Sequence, residues 1–121
     1  MALPVNRPLS EVTLHGRLAD ISTSSTEYIP CPWRGKIVRW YSAISAAITT
    51  ADGSLSLAIN GTAVTGSTIT VTQSGSAIGD VDSAIPTGAN VVKEGDTISV
   101  ITTGACDTTS IGTFFIVIER D

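Results

Sequence analysis

The sequence predicts an all-β domain: one antiparallel β-sandwich or small barrel, jelly-roll-like, probed along its length by frequent turns. Three observations predict it. Thr, Ser, Ile, Val and Gly dominate while Leu, Glu, Lys and Met are scarce, so residues that suit strands and turns abound and good helix formers do not. Apolar and polar residues alternate with period two over several stretches, the mark of half-buried strands. Turn signals recur roughly every ten residues, which is the spacing of sandwiches and small barrels.

A chain of 121 residues is one domain by length and can bury a single core without disulfides or metals. The expected division is an extended N-terminal arm over 1–9 and a β-sandwich domain over 10–121. Pro4 and Pro8 deny the arm a helix, and it has little apolar surface with which to dock on its own domain. It is therefore expected either to be disordered or to lie on a partner, with Pro4, Arg7 and Pro8 as candidate contacts. The N-terminus shows neither a basic region nor a continuous apolar run, so no secretory signal is expected and synthesis in a cytoplasm follows. The longest strongly apolar run, Phe114 to Ile118, is far too short to cross a bilayer.

Within the domain, Val12, Leu14 and Leu18 alternate with Glu11, Thr13 and Arg17 as a first strand, with Gly16 read as a bulge. Pro30 and Pro32, flanking Cys31, each lack an amide hydrogen and force extended geometry on the residue before, placing the stretch from Tyr28-Ile29 on at a sheet edge or outside the sheet. The organising stretch is Lys36 to Asn60. Val38, Trp40, Ile44, Ala46 and Ile48 occupy even positions of an outgoing strand, and Leu55, Leu57 and Ile59 alternate on the return. Asp52-Gly53 between them offers the positive-φ residues of a tight reversal, so a central hairpin is expected. Ile37, Trp40, Tyr41, Ile44 and Ile48 also fit an amphipathic helix, but Lys36 has no N-cap before it and the segment ends in Thr49-Thr50. Asn60-Gly61 marks another tight turn, Gln73 to Asn90 reads as long connections with one irregular strand, and Thr97 to Thr103 as a strand.

The last strand, Ile111 to Glu119, is apolar on both faces. A sandwich strand needs one apolar face for its own core. Phe114, Ile116 and Ile118 are then left over, and they are the expected subunit interface of an oligomer.

Little in the sequence points to catalysis. His15 is the single histidine, and no Gly-x-Ser-x-Gly elbow accompanies it. Asp80 and Asp82 could face one side of an extended segment, but the six to eight oxygens of a Ca²⁺ site have no matching series here. One His and two separated Cys fall short of a tetrahedral zinc set. No catalytic residue, metal or cofactor is expected. Cys31 and Cys106 leave one disulfide open as an option, with reduced thiols the expectation for a cytosolic product. A net charge of −4 with 15% charged residues argues against a nucleic-acid footprint, which needs clustered Lys and Arg in excess. Trp33, Arg34, Lys36, Arg39, Trp40 and Tyr41 are the one basic and aromatic concentration, and strand parity places Trp40 in the core.

The run from Gly35 to Asp96, in particular RGKIVRWYSAISAAITTADGSLSLAINGTAV and SGSAIGDVDSAIPTGANVVKEGD, resembles the capsid decoration, or cement, proteins that tailed bacteriophages encode beside the major capsid gene. The resemblance covers roughly the C-terminal three quarters of the chain. It implies a β-rich virion protein, a homotrimer at capsomer junctions, bound to the major capsid protein on the outer capsid surface and strengthening the head without catalysis. Avidity makes such a role workable with weak individual contacts. The alternative is a glycan-binding β-sandwich module of a phage fibre or surface protein, with Trp33 and Tyr28 as its stacking platform.

Overall fold

A computed structural model describes residues 10–121. The arm residues Pro4, Arg7 and Pro8 lie outside the described residues. From Glu11 to Arg120 the regular elements are all strands: β1 (Glu11–Leu18), β2 (Ser25–Pro30), β3 (Gly35–Ile44), β4 (Gly53–Ile59), β5 (Thr62–Ala63), β6 (Ile69–Val71), β7 (Val81–Ala84), β8 (Val91–Val92), β9 (Thr97–Thr102) and β10 (Gly112–Arg120). They form two antiparallel sheets packed as a sandwich. One sheet runs β1-β10-β3-β7, with β8 also on β3; the other runs β2-β9-β4-β5, with β6 also on β4.

Counting β5 with β6 and β7 with β8 as interrupted edge strands, each sheet has four positions, and the chain alternates between sheets as a jelly roll does. We call the sheet containing β1 the first sheet and the other the second.

This topology corrects the expected central hairpin. β3 and β4 belong to different sheets, β3 between β10 and β7, β4 between β9 and β5. The strand stops at Ile44, and residues 45–52 cross the end of the sandwich. Asp52 does not cap a hairpin there: its carboxylate accepts from the Gln73 amide at 2.8 Å. The helical spacing over 37–48 also loses to strand pairing, because β3 lies at the centre of its sheet with ladders on both sides. By contrast Asn60-Gly61 does close a hairpin, β4 to β5, with φ of 50° and 86° at the two turn residues. β2, carrying Pro30, is an edge strand as expected.

Parity along β3 is shifted once. Arg39 pairs with Val117 but Ile37 pairs with Ile118, so Val38 is an extra residue on β3 and forms the bulge. As a result Ile37, not Val38, is fully buried alongside Trp40 and Ile44. Gly16, expected as a bulge, is instead paired in regular register with Phe114. A Cβ at Gly16 would stand 3.0 Å from the Phe114 ring; the glycine is there to make room for that ring.

The core fills the space between sheets. Ile37, Trp40, Ile44, Phe114, Ile116 and Ile118 from the first sheet meet Leu55, Leu57, Ile69, Val71, Ile98 and Val100 from the second. The expected subunit interface is therefore corrected: Phe114, Ile116 and Ile118 are at most 1% exposed and belong to the sandwich's own core. Their partners across the core are the side chains of the second sheet, and no surface remains on them for another subunit. β10 turns Thr113 and Phe115 outward.

Both cysteines are buried free thiols. Cys31 bonds through its backbone to Asp96 and Gly95, just before β9, whereas Cys106 follows β9 and lies against the Ile21 carbonyl. The six residues of β9 separate them by about 20 Å at the usual strand rise, several times the reach of a disulfide.

Candidate functional site

The outer face of the first sheet carries the candidate site. Strand register lays the outward residues in rows. His15, Phe115, Tyr41 and Ser83 form one row across β1, β10, β3 and β7; Arg17, Thr113, Ala43 and Val81 form the next. A third row holds Thr13, Val117 and Arg39.

His15 meets Phe115 edge-on, with ring centroids 5.6 Å apart, the T-shaped arrangement aromatic quadrupoles favour. Tyr41, Ser42, Ala43, Val81, Thr113 and Phe115 line a groove of about 270 Å³. Its walls are almost wholly apolar. At one end of the face Arg39 donates to the Glu11 carboxylate at 2.8 Å, and that bond raises the guanidinium pKa further. Both partners are over a third exposed, so the pair contributes little stability and serves to fix two rim charges.

The apolar character continues along the β7 and β8 margin. Ile78, Val81, Ile85 and Val91 are 79%, 65%, 70% and 67% exposed, and Phe115 is 50% exposed. Scattered surface aliphatics are ordinary, whereas contiguous apolar sets mark contact surfaces; of these five, Val81 and Phe115 share the groove.

The residues singled out in the sequence are not brought together. Tyr28 is exposed on β2, at the edge of the second sheet, while Trp33 packs against the core, so they form no shared platform. His15 is on the first sheet's outer face and joins the aromatic row rather than a nucleophile. The Asp80 carboxylate accepts from the Ala77 amide at 2.8 Å and closes a turn; burial, with the nearby Asp80 charge, pushes the Asp82 carboxyl up. Among the described residues no group of three His, Cys, Asp or Glu could hold a metal. Among the described residues no helix is long and apolar enough to cross a membrane.

Sequence reasoning missed the Phe115, Tyr41 and Val81 surface. The signal was present in Tyr41 and Phe115, both at positions of opposite parity to a core residue, but β10 is apolar on both faces and parity alone cannot say which is inside.

No protein-family model and no curated protein matches the chain. Among solved structures the fold is similar to part of the catalytic unit of a thermostable GH87 alpha-1,3-glucanase from Streptomyces thermodiastaticus strain HF3-3. The TM-score is 0.54 and the identity 13%, over 92% of this chain and 26% of that one. The catalytic domain of a GH87 alpha-1,3-glucanase in complex with tetrasaccharides gives a TM-score of 0.47 at 14% identity, over 93% of this chain and 26% of that one. The chain spans about a quarter of the length of these neighbours. At this identity the likeness is one of fold.

Proposed function

We propose that the chain is a non-catalytic virion module that attaches to the outer surface of a tailed-phage capsid, through the major capsid protein, and stabilises the head. The observation that carries the reading is the outer face of the first sheet: an apolar centre at Phe115, Tyr41 and Val81 with charges held at its rim. Protein contact surfaces have this anatomy. The groove offers a ligand aliphatic and aromatic walls, which suits a protein side chain better than a polar small molecule. The resemblance of 35–96 to decoration proteins supports the same reading.

Co-sedimentation with emptied heads of the phage that carries the gene tests it. Binding that Phe115→Asp abolishes, together with heads that survive heating better when the protein is bound, is the expected result. Heads that neither bind the protein nor gain stability overturn it.

One observation favours a second reading as a glycan-binding module. The row His15, Phe115 and Tyr41 sets aromatic rings side by side in water beside Arg39, and exposed rings of this kind can stack sugars. Chemical-shift titration with glycans that perturbs these three residues, in a protein that ignores capsids, would replace the first reading with this one.

A further inference from the structure

We infer that Ser42, Asp80 and Asp82 form a Ca²⁺ site on the inner side of the first sheet, at its β7 margin. The site lies across the sheet from the groove and does not depend on what the groove binds.

Strand register builds it. Asp82 of β7 pairs with Ser42 of β3, and the side chains of such a pair project from the same face with Cβ atoms about 5 Å apart. That face is the inner one. Trp40 and Ile44, two residues to either side of Ser42, are buried in the core, while Val81 and Ser83, which flank Asp82, are exposed. Asp80 stands two residues before Asp82, hence on the same side of the extended chain and about 7 Å along it. Its carbonyl accepts from the Ile44 amide at 3.2 Å, which continues the pairing with β3 to that point.

Polar groups meet there without partners. Among the described residues the Ser42 hydroxyl is the buried side-chain oxygen with no hydrogen bond, in a residue 2% exposed. An orphan of this kind in a core marks a bound water or ion. Beside it, the partly buried Asp82 carboxylate receives no hydrogen bond, and burial and the Asp80 charge both push its carboxyl up. Of the Asp80 oxygens, Oδ2 accepts from the Ala77 amide at 2.8 Å, which leaves Oδ1 for another partner.

Charge decides between a water and a cation. A carboxylate drawn partly out of water is stable when it is paired or binds a metal. A water would satisfy Ser42 and Asp82 but leave the two acids repelling each other; a divalent ion removes that repulsion. Oxygen ligands alone select a hard cation, Ca²⁺ or Mg²⁺. The Ser42 side is closed to solvent, so the ion must shed water there, which Mg²⁺ does reluctantly, whereas Ca²⁺ accepts irregular oxygen sets. With so few protein ligands and water completing the shell, the dissociation constant belongs in the weak range, about 10⁻⁴–10⁻³ M. The sequence displays the two acids alone, because the hydroxyl comes from another strand.

Melting of the full chain in chelator and in about 10 mM CaCl₂ is the test, with NaCl at equal ionic strength as the control for screening. Calcium should raise the parent's melting temperature by about 5 °C, and MgCl₂ by less. Asp82→Asn should melt above the parent in chelator and lose the calcium response. Ser42→Ala should fold, since its hydroxyl has no protein partner, and should need more calcium for the same rise. Glu27→Gln, which removes an exposed acid on β2 with the same change in net charge, should keep the response. Should Asp82→Asn fail to fold, amide shifts of the parent decide: CaCl₂ should move residues 42 and 80–82 most. A parent whose melting follows ionic strength alone, an Asp82→Asn chain that keeps the calcium response, or shifts centred on Glu94 and Asp96 overturns the inference and leaves a water between Ser42 and Asp82.

Discussion

The indole nitrogen of Trp40 donates to the backbone carbonyl of Ser67 at 2.7 Å, with both residues buried. The bond ties the central strand of the first sheet to the loop between β5 and β6 of the second. Ser67 extends the link, its hydroxyl accepting from the Leu57 amide at 3.0 Å. Trp40→Ala should cost about 3–5 kcal/mol, the usual range for a buried aromatic. Trp40→Phe keeps much of the volume and strands the Ser67 carbonyl, so it should cost about 1–3 kcal/mol beyond any lost packing. Urea unfolding of the three proteins separates the two contributions, and a Trp40→Ala chain that unfolds with the parent would show the side chain is not core.

Adjacent phenylalanines on β10 should respond oppositely. Phe114 is 1% exposed and Phe115 is 50% exposed. Phe114→Ala should destabilise by about 3–5 kcal/mol, whereas Phe115→Ala should change stability by well under that. Comparable losses at both positions would mean that the strand faces are wrongly assigned.

Acid should act on two kinds of carboxylate with opposite sign. Burial and then the Asp80 charge raise the Asp82 pKa above its ordinary value of 3.8. The folded chain holds that proton more tightly than the unfolded chain, so this group's contribution falls as pH rises from 3.8 through the raised value. Asp82→Asn should therefore melt higher than the parent at neutral pH, with the gain vanishing below the ordinary carboxylate value. Asp20 is lowered, chiefly by the Ser22 hydroxyl and amide. Its stabilisation is present above 3.8 and lost as pH falls through the lowered value. Asp20→Ala should melt lower at neutral pH and converge on the parent in acid. Melting curves across that range check both.

The two thiols should be silent in the folded protein. Burial raises the pKa of Cys31 and of Cys106, and the thiolate is the reactive form. A thiol-reactive chromophore should label neither in native buffer and both in denaturant, and non-reducing mass analysis should find no intrachain bridge. Prompt native labelling of one site would show that its end of the sandwich opens.

Legibility in the sequence followed how local the determining physics is. Asn60-Gly61 specifies its own turn, because both residues tolerate positive φ, and the structure has the hairpin there. Asp52-Gly53 carries the same local signal and yet no hairpin forms, since β3 finds β10 and β4 finds β9, partners far along the chain. The alternation that placed Trp40 inside was sound; the bulge at Val38, which swaps Ile37 into the core, depends on the facing strand and leaves no trace in β3 alone. The candidate face was the least readable part. Phe114 and Phe115 are chemically identical neighbours, and only the second sheet decides which one it covers.

The chain is threaded so that the central strands are made late. β10 lies between β1 and β3, and β9 between β2 and β4. A nascent chain that has emerged only as far as β8 holds four principal strands with gaps where their shared neighbours belong, and β1 and β2 have no strand to pair with. Neither sheet can close before β9 and β10 leave the ribosome. Assembly is thus deferred until those two strands are made, when strands far apart in the chain must find one another, a slow search by its topology.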